Sequence, residues 1–204
     1  MQRAMPMPDM MPANMSVFQY MGAFSVNGAE GDLATRIMAG DIVETNADTE
    51  LVFVVNKDAF LLRANSRMQV IPKITGSQYH LERGKLMSVF AAGQTQISTP
   101  SAVIAIRGTG VYMESEPELS YICTCYGVTN IATSDDPGIS ETIESKHHDA
   151  PRYVLSDKNA SQRIQPAPFI NHDDQELLLI ETLVGRSPPY VVPQGIKRSR
   201  GRYL

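Results

Sequence analysis

The chain has 204 residues, enough for one domain with a real core plus appendages and marginal for two full domains. Hydrophobic residues make up 43% and charged residues 20%, the balance of a soluble globular protein, and no apolar run approaches the ~18–20 residues that span a bilayer. The formal net charge is -4, with every acid before residue 190 and Lys197, Arg198, Arg200 and Arg202 in the last eight residues, so an acidic body carries a basic end and nucleic acid is excluded as the main partner.

Residues 1–21 hold seven of the 11 methionines, interleaved with Pro6, Pro8 and Pro12. The prolines forbid a continuous helix, so this segment is expected to be an extended arm. No basic stretch followed by an apolar one marks a signal peptide.

From Gly22 onward, short apolar runs alternate with turn signals. Phe24–Val26 precedes Asn27-Gly28, a tight-turn pair. Strands are expected at Leu51–Val55, Ala59–Leu62, Met68–Ile71, Lys85–Phe90 and Thr95–Ser98. Ala102–Ile106 is apolar at every position and is expected to be buried on both faces. Val111–Glu114, Tyr121–Cys125 and Thr129–Ala132 complete the series. Such strands, without helical periodicity between them, predict a mainly β unit over 22–133, coiled, solenoid-like or sandwiched.

Residues 134–170 are rich in turn signals and are expected to wrap the β unit. A helix follows over about 173–184: Asn171 or Asp173 caps it, early acids suit its dipole, and Leu177, Leu178, Ile180, Leu183 and Val184 form an apolar stripe. Gly185 stops it, and the residues to 204 form an extended arm with a basic end.

The stretch from Gly31 to about Ala132 resembles a FecR domain. Three pieces carry the likeness: Ile37 to Thr45 around the Gly40-Asp41 turn, the Glu50–Leu62 hairpin, and Thr99-Pro100 followed by Ala102–Ile106 and Arg107-Gly108-Thr109-Gly110-Val111-Tyr112. The resemblance implies a solenoid-like, twisted β-domain in the periplasm or cell envelope that binds and scaffolds and does not catalyse. In iron-uptake regulators such a domain relays a signal from an outer-membrane receptor to a sigma factor. It implies protein partners, here expected to be gripped by the two terminal arms, with contact to an anionic membrane surface through the basic tail as a further expectation.

The residues of the third piece also have a physical reading. Pro100 can start a strand without a ladder donor, and Gly108 and Gly110 allow backbone conformations or close approaches denied to other residues. Arg107, directly after a buried strand, needs an acceptor, expected to be Asp41 or another turn acid.

Cys123 and Cys125 are two apart in a strand and so point to one face, where two thiolates can share a metal. His147 and His148 would complete a Cys₂His₂ set, with His172 as a third histidine candidate. Zinc suits a closed structural site; copper, non-haem iron and a histidine-ligated iron–sulfur cluster stay open. His80 stands alone and is assigned to surface or packing. A phosphate-binding loop, a serine elbow and a His-Glu-x-x-His motif are all lacking. The expected function is that of a non-enzymatic envelope scaffold carrying a metal site, with electron transfer and the sensing of metal uptake as alternatives.

Overall fold

The structure, a computed structural model, describes residues 9–190. Fourteen strands and one helix follow in chain order: β1 (Val17–Met21), β2 (Phe24–Val26), β3 (Ala29–Glu30), β4 (Ile42–Thr45), β5 (Glu50–Val55), β6 (Asp58–Leu62), β7 (Arg67–Ile71), β8 (Ser77–Val89), β9 (Thr95–Ser98), β10 (Ala102–Ser115), β11 (Leu119–Thr133), β12 (Ser140–Ser145), β13 (Arg152–Leu155), β14 (Ile164–Pro166) and α1 (Asp174–Leu183). All the strands join one sheet, and every pairing is antiparallel except that of β8 with β9. The described residues form the expected mainly β fold with one short C-terminal helix.

Three strands are far longer than the sequence suggested, and each serves two sets of neighbours. Residues 78–83 of β8 pair with β7, whereas residues 86–89 pair with β6. In β10, residues 103–106 pair with β9 and residues 110–115 with β8. In β11, residues 119–122 pair with β13 and residues 127–132 with β12. Glycines with positive φ mark the changes of partner: Gly84 at +96°, Gly108 at +62° and Gly127 at +87°. The β10–β11 register breaks on both sides of Gly110. Arg107-Gly108-Thr109-Gly110 is therefore a bulge inside one strand, not a turn between two.

The bulge explains its own composition. Gly108 takes a left-handed conformation that bulkier residues resist. Gly110 is a close-approach position: a Cβ there would lie 2.8 Å from Tyr126 Cε1 and 2.9 Å from Leu177 Cδ1. Arg107, by contrast, is exposed and ion-paired to no described carboxylate. Asp41 instead accepts from Asn27 Nδ2 and Met38 N at 2.8 Å each, closing the Gly40 turn. The expected Arg107–Asp41 partnership is thus overturned, because the guanidinium reaches water and needs no buried acceptor.

Other expectations also shift. Pro100 sits in the turn before β10, whose first strand residue is Ala102, and Thr99 braces that turn by accepting from Ala102 N at 3.0 Å. Within Ala102–Ile106 the burial alternates, with Ala105 exposed, so this half of β10 is covered on one face only. Ile37 and Met38 precede the Gly40 turn without forming a strand, although Ile37 is buried. Val17–Met21 pairs with β5, so the expected arm becomes part of the sheet there. The segment 134–170 contributes β12, β13 and β14 as well as turns. Half-buried His80 meets Ser98 Oγ at 2.9 Å. The basic tail and the first three methionines, Met1, Met5 and Met7, lie outside the described residues.

Side-chain alternation builds two cores. Phe53, Phe60, Leu62, Leu86, Val111, Met113 and Ile122 point into the main core. Val52, Val54, Leu61, Met87, Tyr112, Cys123 and Cys125 lie on the opposite face, where Leu177, Ile180 and Leu183 of α1 cover them. The N-cap of α1 is Asp173, in a capping box with Glu176. Arg63 Nη2 bonds both Glu176 carboxylate oxygens at 2.8 Å, tying the first helical turn to the residue just after β6. Gly185, at φ +70°, ends the helix.

Candidate metal centre

Strand alternation puts Cys123 and Cys125 together on the face beneath α1, and both are fully buried. Two separate segments bring the histidines to them. His148 lies in the loop between β12 and β13, its N–H bonded to Cys125 O at 2.9 Å. Its backbone adopts φ +55°, an uncommon conformation for a residue with a Cβ, and it is this turn that carries its ring inward. His172 directly precedes the helix cap, and its ring stacks on Tyr112 at 4.3 Å.

One ligand atom from each of Cys123, Cys125, His148 and His172 lies within 4.8 Å of all the others. Cys123 Sγ is 3.5 Å from His148 Nδ1, which is 3.1 Å from His172 Nε2. A tetrahedral zinc ion with ordinary bond lengths sets sulfur–nitrogen and nitrogen–nitrogen separations of about 3.6 and 3.3 Å. The four side chains therefore stand close to the spacing of a single-ion site.

The second nitrogen of each ring fixes its tautomer. His172 Nδ1 is 2.6 Å from Ile170 O, a carbonyl that can only accept, so this nitrogen is the donor. His148 Nε2 is 3.0 Å from Asp174 Oδ1, where the carboxylate can only accept as well. The remaining nitrogens, His148 Nδ1 and His172 Nε2, thus face each other through their acceptor sides. Two lone pairs at 3.1 Å repel unless a proton or a metal ion lies between them. A carboxylate or carbonyl behind each imidazole is the usual support of a metal-ligating histidine.

The electrostatics follow from this packing. The neighbouring Cys125 thiol does most to hold the Cys123 thiol down, at about 4, and His148 and His172 add to it against the upward push of burial. Burial drives Cys125 the other way, well above its ordinary value. Burial pulls His148 down, but Cys123 and Asp174 outweigh it and keep the imidazole above its usual value. Burial likewise pushes Asp174 up, and His148 and His147 outweigh it, leaving the carboxyl below the ordinary range.

His147 does not join the four. Its side chain is 51% exposed, and its Nε2 lies 3.0 Å from each Asp174 oxygen. Asp174 thereby links both histidines of the pair, a role that its place among the acids of the helix start concealed. Phe169 packs at 4.8 Å from the His148 ring and 4.5 Å from the His172 ring, at the solvent side of the cluster. Tyr190 packs on His147 at 4.2 Å. Nothing in the local sequence of Phe169 or Tyr190 signals these contacts; only the path of the chain brings them here.

No protein-family model matches the sequence, and no curated protein matches it. Among solved structures, two crystal structures of a candidate anti-sigma factor from Parabacteroides distasonis ATCC 8503 match with a TM-score of 0.51 each, at 13% and 14% identity. Each match covers 67% of this chain and 62% of that one, so this chain spans less than two thirds of its neighbours' length. The likeness is one of fold.

Proposed function

We propose that this chain is a non-enzymatic binding and scaffolding module of the FecR-like kind, acting in the periplasm or cell envelope, and that Cys123, Cys125, His148 and His172 hold one structural zinc ion. The observation that carries the metal reading is the facing pair His148 Nδ1 and His172 Nε2, 3.1 Å apart, each ring pinned by an oxygen acceptor behind it. Two thiolates and two imidazoles fill a tetrahedral shell, which leaves no open position for substrate, so the ion serves structure and not catalysis. A Cys₂His₂ iron–sulfur cluster places thiolates and imidazoles on different irons, whereas Cys123 and His148 meet at 3.5 Å.

The scaffold reading is supported by the fold shared with the anti-sigma factor structures and by the motif around Arg107–Gly110. The envelope location rests on the same resemblance. The partners are proteins, recognised through surfaces of this β unit and its termini.

Elemental analysis of protein purified without chelator tests the metal reading: about one zinc per chain is expected, and less than ~0.1 of any transition metal overturns it. A visible absorption band would assign copper or iron instead of zinc. Cys123→Ser, Cys125→Ser, His148→Ala and His172→Ala should each lose the ion, whereas His147→Ala should keep it.

A further inference from the structure

We propose that the ion at this site is the clasp that holds α1 against the outer face of the sheet, so that metal binding and helix docking are one equilibrium. This inference rests on the metal reading and adds what the ion controls.

The ligands come from three segments, β11, the β12–β13 loop and the linker into α1, which are otherwise joined by Ala167 N donating to Pro151 O at 2.9 Å and the Tyr121 hydroxyl donating to Pro168 O at 3.0 Å. His172 is joined directly to the N-cap Asp173, and the first helical residue, Asp174, bonds both His147 and His148. Beyond the helix, Tyr190 returns to the same place, with its hydroxyl 3.4 Å from His148 Nε2 and its ring against His147 and Tyr126. Both ends of the helical segment therefore converge on the cluster.

A helix of ten residues does not persist without packing. Its apolar side, Leu177, Ile180 and Leu183, covers Val52, Val54, Leu61, Met87 and Val89. Those residues belong to strands already paired in the sheet, so the sheet does not need the helix to keep its hydrogen bonds. Other ties, among them Arg63 to Glu176, the Tyr126 hydroxyl to Glu181, Met11 N to Leu183 O at 2.9 Å and Arg186 Nη1 to Lys57 O at 3.0 Å, join the helix to the body without passing through a ligand of the cluster. An ion ligated by both Cys123 and His172 adds a link of coordination strength between β11 and the helix start. Withdrawing it lets α1 lift and uncovers an apolar strip of β5, β6 and β8.

Hydrogen exchange of the full chain, zinc-loaded and after treatment with a chelator, tests this, with metal content measured in parallel. Amides of residues 177–183 should exchange at least ~10-fold faster once zinc is gone, while those of β6, β8 and β10 keep their protection. His172→Phe retains the ring against Tyr112 and removes the ligand nitrogen; in excess zinc it should match the chelated wild type. Zinc removed with helix exchange unchanged, or His172→Phe exchanging like the loaded wild type, overturns the clasp and leaves the metal reading standing. Loss of protection throughout the sheet overturns it as well, since the ion would then hold the whole fold. Absence of zinc from the purified protein sinks both readings together.

Discussion

Gly110→Ala tests how the bulge in β10 is coupled to the helix. The added methyl would stand 2.8 Å from Tyr126 Cε1 and 2.9 Å from Leu177 Cδ1, separations shorter than real Cβ contacts. Neither neighbour yields freely: Tyr126 is held by its hydroxyl on Glu181, and Leu177 is fully buried on the sheet-facing side of α1. Overpacking of this kind costs about 1–3 kcal/mol. For a protein of this size that lowers the melting temperature by roughly 2–4 °C per kcal/mol. Leu177→Ala alone should cost about 2–5 kcal/mol through lost burial and the cavity left behind. In the double variant one of the two clashes disappears, so the costs should fall short of their sum by about 0.5–3 kcal/mol. Thermal and denaturant unfolding of the four proteins of this cycle, all zinc-loaded, gives the comparison. A Gly110→Ala variant as stable as the wild type, or two costs that add within ~0.5 kcal/mol, would refute the packing argument.

Three further outcomes are expected. Asp174→Asn leaves all four metal ligands in place but weakens the acceptor behind His148, so zinc affinity should fall about 10–100-fold in a chelator competition; unchanged affinity would remove Asp174 from the site. Glu176→Ala deletes both the capping-box partner and the carboxylate that Arg63 grips in a largely buried position, and should cost about 3–5 kcal/mol in denaturant unfolding; a cost near zero would show the pair to be dispensable. Glu141 is held below its ordinary value of 4.5 first by its hydrogen bonds from Arg152, at 2.6 and 2.8 Å. A lowered carboxyl contributes stability that is present above the unfolded value and lost as pH falls through the folded one, so the contribution should fade below about pH 4.5. Because Glu141 is 39% exposed, solvent limits the effect to at most ~1 kcal/mol. Glu141→Gln should therefore unfold less steeply with acid than the wild type, and identical acid profiles would count against the pair.

The sequence alone encodes the mainly β class, because apolar runs of strand length broken by Gly, Asn and Asp leave no room for helical periodicity before residue 171. It also determined the single helix, whose cap, apolar stripe and terminal Gly185 are all local signals, and the shared face of Cys123 and Cys125, which follows from a two-residue period. Strand lengths were not legible in this way. Gly84, Gly108 and Gly127 look like turns in a sequence, yet each lies within a continuous strand, because a bulge and a turn demand the same positive φ and differ only in which strands pair around them. The fate of Arg107 was equally hidden, since exposure depends on what the rest of the sheet covers. Tertiary structure alone decided which histidines meet the cysteines: His147 and His148 are adjacent in sequence, and the turn at His148 sends one ring toward solvent and the other inward. It also decided that the linker before α1 supplies the fourth ligand, a contact that exists only because the apolar stripe of the helix finds the face of the sheet on which both cysteines lie.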